Sequence, residues 1–88
     1  MVQKELVIQN KLGLHARAAA KFVKCASQFQ SEIQVGKDAM TVNGKSIIGV
    51  LLLAAPKGSR ITVSVDGPDE LPAIDSLSEL VENRFDEE

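Results

Sequence analysis

The chain has no tryptophan, no tyrosine and only three phenylalanines among its 88 residues. Its core must therefore be assembled from Val, Ile, Leu and Ala, with the phenylalanines as the larger fillers. A single cysteine, Cys25, excludes an internal disulfide and suits a reducing compartment. It reads as a small buried residue of a helix rather than a reactive thiol. A single histidine, His15, has no second His or Cys at ligand spacing, so neither a metal nor another cofactor is expected. The longest apolar run, residues 47–56, is interrupted by Gly49 and is far too short to cross a bilayer. The opening MVQKELVIQ alternates and carries charges, unlike the apolar stretch of a signal peptide. A soluble, cytoplasmic protein without membrane insertion is the expectation. Nucleic acid is an unsuitable partner for a chain of net charge −2 with no aromatic stacking surface.

What is present fits one compact domain over residues 1–88. Charge is unevenly spread. Residues 1–30 carry five Lys and Arg against one acid, whereas residues 66–88 carry nine acids against one arginine. A basic front and an acidic back favour docking on acidic partners in one orientation; the plainer alternative is a solvated acidic last helix.

Periodicity gives the elements. Residues 2–9 alternate as a strand, with Val2, Leu6 and Ile8 on one face. From Ala16 to Gln28 the period becomes helical, with Ala19, Phe22, Val23 and Ala26 on one stripe. Residues 32–43 read as a hairpin turning at Gly36-Lys37-Asp38. Ser46 is placed as the N-cap of a short helix over 47–53, closed by Pro56 and Gly58. Arg60 to Asp66 is the clearest strand, with Ile61, Val63 and Val65 inward. A last helix opens at Asp69, with Pro72 in its first turn and Ile74, Leu77, Leu80 and Val81 buried. The order βαββαβα predicts an α+β fold: a mostly antiparallel four-stranded sheet with three helices on one face.

His15 follows Gly13-Leu14 and precedes the Ala-rich helix, which makes it the N-cap. Helix N-termini present unpaired backbone N–H groups and the positive end of the helix dipole, a ready anion site. A phosphoryl group on the imidazole would lie within reach of the amides of Ala16 and Arg17. The Arg17 guanidinium can bind phosphate through two parallel hydrogen bonds. Nucleophile, anion cradle and cation thus fall within three residues, and phosphoryl transfer asks for little beyond positioning and electrostatics. As bare residues, His15 and Arg17 read more readily as a polar helix start and a solvated cation. Gly44-Lys45-Ser46 looks like the end of a nucleotide-binding P-loop, but position 39 is Ala where that motif needs Gly. Ser46 remains a hydroxyl at a helix start, where an added phosphate would repel an acidic partner without unfolding the chain. The segment 47–53 has more apolar residues than one short helix can bury. Leu14, Ala20, Ile47 and Ile48 are therefore read as an exposed docking patch beside His15, with Lys21 and Lys24 as cations able to meet acidic groups.

Gly13-Leu14-His15-Ala16-Arg17-Ala18-Ala19-Ala20 resembles the active-site signature of the HPr family, the histidine-containing phosphocarriers of the bacterial sugar phosphotransferase system. Gly44-Lys45-Ser46-Ile47-Ile48-Gly49-Val50 resembles the family's regulatory serine site, and length and element order match along essentially the whole chain. The resemblance implies an open-faced β-sandwich in which His15 is phosphorylated on Nδ1 by phosphorylated enzyme I, with phosphoenolpyruvate as ultimate donor. Phospho-His15 would then donate to enzyme IIA domains, with Arg17 assisting. Ser46 would be the target of an HPr kinase/phosphorylase. Such a protein is a carrier, not an enzyme, and a monomer is expected. Many members carry Pro where this chain has Ala18, and a hydroxyl residue where it has Ala16. The alternative within the resemblance is a nitrogen-branch or regulatory relative, acting as a binding module controlled by phosphorylation at His15 or Ser46.

Overall fold

The computed structural model describes residues 1–87. In chain order it forms β1 (Val2–Val7), α1 (Ala16–Ala26), β2 (Glu32–Lys37), β3 (Met40–Asn43), α2 (Ile47–Leu52), β4 (Arg60–Asp66) and α3 (Glu70–Glu82). A short turn over Arg84–Asp86 follows. The four strands lie in the order β1-β4-β2-β3, every neighbouring pair antiparallel. This is the expected α+β open-faced sandwich.

The register explains why one face is bare. Leu6 lies opposite Ile61, and Val63 and Val65 lie opposite Val35 and Ile33. These six point inward and are buried, whereas Gln3, Glu5 and Gln34 on the opposite side are exposed. The period-two alternation in β4 sorts its side chains in this way. Helices cover the apolar face: Phe22 and Ala26 from α1, Val50 from α2, and Ala73, Leu77 and Val81 from α3 are all fully buried. Cys25 is half-buried, and burial pushes its thiol pKa up, as expected of an inert cysteine.

Two boundaries differ from the pattern-based reading. The hairpin turns on Asp38 and Ala39, with Lys37 paired to Met40, while Gly36 sits inside β2 opposite Thr41. Asp38 adopts the left-handed φ of 55° that a two-residue turn requires, a conformation Asp tolerates. Helix α2 ends at Leu52, and Ala54, with a φ of 48°, reverses the chain before Pro56 is reached.

Asp69 stands at the N-cap of α3, yet its carboxylate does not cap that helix. It accepts instead from the backbone N–H of Gln30 and of Ser31, both at 2.9 Å, and from the Ser31 hydroxyl. These bonds, the Ser31 hydroxyl foremost and the Gln30 amide next, hold the Asp69 pKa below the usual aspartate value. A carboxyl whose folded pKa is depressed contributes stability above its unfolded pKa, near ~3.9, and loses it as pH falls through the folded value. Asp69→Asn should therefore be less stable at neutral pH and should lose less stability on acidification than the parent, as read by urea denaturation from about pH 6 to pH 2. Parallel curves for the two proteins would show that Asp69 carries none of the acid sensitivity.

Candidate functional site

The loop after β1 delivers His15 to the start of α1. Gly13 makes this possible: its φ is +69°, and a Cβ there would lie 2.9 Å from Pro56 Cα and collide with the Ala55 carbonyl. The close approach lets Leu14 N–H donate to Ala55 O at 2.9 Å. It also turns the Leu14 side chain into the core, where it is 4% exposed. Leu14 is thus not part of an exposed docking patch, contrary to the sequence-based expectation. The backbone bond beside Gly13 fixes its direction.

His15 is the N-cap of α1, with φ −77° and ψ −178°, and its carbonyl accepts the first helical bond from Ala19 N–H at 2.8 Å. Its side chain makes no cap bond. The N–H groups of Ala16, Arg17 and Ala18 therefore have no acceptor among the described residues. Ala18 supplies a donor that proline would lack. The imidazole is about a quarter exposed. Its Nε2 lies 2.8 Å from Glu87 Oε2, and Nδ1 has no partner among the described residues. Arg17 is exposed and makes no hydrogen bond or ion pair with another described residue.

The sequence alone does not single out Glu87 or Asn10 as site residues, and marks Lys21 only as a cation able to meet acidic groups. The buried Asn10 donates through Nδ2 to Gly13 O at 2.7 Å and to Glu87 Oε1 at 3.1 Å, tying loop and tail together. Lys21 donates to Phe85 O at 2.7 Å. Desolvation alone would raise the Glu87 pKa, and is the largest single influence on it. The hydrogen bonds from His15 and Asn10, with the charges of His15 and Lys21, together outweigh it and bring the carboxyl below its usual value. Lys11, Leu12, Arg17, Lys21, Asp86 and Glu87 line one shallow surface depression. Asp86 and Glu87 thus lie against the basic residues at the start of α1.

The tail reaches this position through three consecutive non-glycine residues in the left-handed region, Arg84, Phe85 and Asp86, at φ 57°, 54° and 59°. Each costs roughly 1–2 kcal/mol relative to the right-handed conformation. Phe85, fully buried, offsets part of this, together with the bonds that Asn10, His15 and Lys21 make to the tail. No sequence signal marks such a turn, because glycine is absent from it.

With this geometry in view, the comparisons with known proteins decide the family. The family model described as "PTS HPr component phosphorylation site" matches residues 2–83. The chain belongs to the HPr family. It is a phosphocarrier of the phosphotransferase system, a relay component and not an enzyme, and its partners are other components of that system. The phosphocarrier protein HPr of Xylella fastidiosa strain 9a5c is 53% identical over 88 residues, covering 100% of this chain and 99% of the relative. That of Neisseria meningitidis serogroup B is 49% identical over 87 residues, covering 99% and 98%. A crystal structure of HPr-C-His from Thermoanaerobacter tengcongensis superposes with a TM-score of 0.96 at 46% identity, covering 100% and 99%.

The other residues picked from the sequence fall as follows. Ser46 caps α2, its hydroxyl accepting from Gly49 N–H at 3.1 Å. Gly49 packs closely on β3, a Cβ there lying 3.3 Å from Val42 Cβ. Ile47 and Ile48 are 44% and 72% exposed, so the surplus of apolar residues in α2 does reach the surface. Ala20 and Lys24 are exposed on α1, against which α2 packs. No helix among the described residues is long and apolar enough to cross a membrane.

Proposed function

We propose that His15 is the phosphoryl acceptor, taking the group on Nδ1 from phosphorylated enzyme I, with phosphoenolpyruvate as ultimate donor, and passing it to enzyme IIA domains during sugar uptake in the cytoplasm. One observation carries the reading: the sole imidazole sits where three backbone N–H groups of α1 have no acceptor among the described residues, while its Nδ1 is unpartnered there. The amides of Ala16 and Arg17, with that of Ala18, would receive the phosphoryl oxygens, and the uncommitted Arg17 guanidinium would add a bidentate contact. Exposed Ala20, Lys24, Ile47 and Ile48 would serve as docking surface. The whole chain would act as one domain and as a monomer. Ser46, already a cap, would be the regulatory phosphorylation site of an HPr kinase/phosphorylase, where two added charges would oppose acidic partners.

Incubation with phosphoenolpyruvate and enzyme I should give the protein one acid-labile phosphate, and Arg17→Ala should slow its uptake by roughly tenfold or more, the loss of one charge-assisted contact. ATP and the kinase should add an acid-stable phosphate instead, absent in Ser46→Ala. A wild-type protein that gains no acid-labile phosphate would rule this function out.

A further inference from the structure

We infer that Glu87 is a positioning residue for His15, holding the proton on Nε2 so that Nδ1 presents its lone pair to an incoming phosphoryl group. The inference rests on the reading of His15 as acceptor. Its own basis is the hydrogen-bonded chain from Asn10 Nδ2 to Glu87 Oε1 at 3.1 Å and from Glu87 Oε2 to His15 Nε2 at 2.8 Å. An ionised carboxylate only accepts, so the proton in the second bond belongs to Nε2, and in the neutral form of the ring it is the only ring proton. The other ring nitrogen is then unprotonated. The Glu87 side chain is 12% exposed. Asn10 fixes one carboxylate oxygen and the anchored Phe85 sets the direction of the tail, so the bond is held in one geometry.

The same contact serves the transfer itself. The Nδ1 lone pair forms the N–P bond as the bond from phosphorus to the donor atom breaks, its electron pair leaving with the donor. The ring gains positive charge, Nε2 keeps its proton, and the Glu87 carboxylate faces that charge. On onward transfer the N–P bond breaks and its pair returns to Nδ1. No proton has to move in either direction. A glutamine at position 87 has one acceptor oxygen where the carboxylate has two, and cannot serve both Asn10 and His15.

Two measurements test this, and only the second needs a phosphoryl donor. In protein labelled with ¹⁵N histidine, at a pH of about 8.5 where an ordinary histidine is neutral, the wild type should show an Nε2-bound proton, shifted downfield and slow to exchange with water. Glu87→Ala should lose it, and Glu87→Gln should show it exchanging faster. In stopped-time phosphorylation by enzyme I, Glu87→Ala should fall about tenfold in rate and Glu87→Gln about threefold, with the glutamine variant still folded at the assay temperature as a thermal melt reads. If alanine loosens the tail, the glutamine variant carries the test alone. An Nε2 proton unaffected by either substitution overturns the inference, as does a rate equal to or above wild type, which would make the tail a brake. If the wild type takes up no phosphate while the Nε2 signature depends on Glu87, the acceptor reading fails and the contact stands without its role.

Discussion

Replacing His15 with alanine is expected to abolish acid-labile phosphorylation while leaving the protein folded. The chain has one histidine, so no second imidazole can take over the transfer. The neighbouring donors on α1 would persist, but an anion cradle without a nucleophile binds and does not bond. Stability should change little. As N-cap, His15 makes no side-chain bond to its own helix, so alanine forfeits no cap there; the lost contact is the one to Glu87. A change within about 1 kcal/mol is anticipated, as for substitutions outside the core. Phosphate counted before and after mild acid, beside a thermal melt by circular dichroism, checks both halves. Acid-labile phosphate in a folded His15→Ala protein would place the acceptor elsewhere.

The sequence showed His15 and its surroundings clearly because local chemistry fixed them. Gly13 breaks the strand pattern, and the change of period at Ala16 marks where α1 begins. Ser46 at the head of an apolar stretch is a cap by its own chemistry, and the inward Ile61, Val63 and Val65 are a matter of alternation. None of these needs knowledge of distant contacts. The misread features all depend on them. Leu14 faces the core because a loop 41 residues further on offers it a carbonyl (Ala55). The pairing of Glu87 with His15 joins residues 72 apart, and the run of acids over residues 66–88 gave no sign of which one it would be. The Arg84–Asp86 turn runs against local preference, and only contacts made at long range, Phe85 packing and the bonds from Asn10, His15 and Lys21, offset it.

Phe22 and Phe85 are both fully buried, yet truncating them should have unequal consequences. Phe22 lies in the middle of α1, which cannot leave the sheet without dissolving the core, so Phe22→Ala must leave a cavity and should cost about 3–5 kcal/mol. For a chain of this size that is a drop of at least about 12 °C in melting temperature. Phe85 sits on a terminal segment that has an alternative. Its burial, worth about 1.5–3 kcal/mol, and the bonds from Asn10, His15 and Lys21 together offset the strain of three left-handed residues. With the ring gone, the turn can detach and relax to ordinary angles, so the penalty is capped by the free energy of docking the tail. Phe85→Ala should therefore lose less stability than Phe22→Ala, but it should lose the Nε2 proton signature of His15, which a native-like Phe22→Ala fraction at low temperature should keep. Equal destabilisation of the two variants would mean that the tail is integral to the core; an intact Nε2 signature in Phe85→Ala would mean that Asn10 and Lys21 hold Glu87 in place without the anchor.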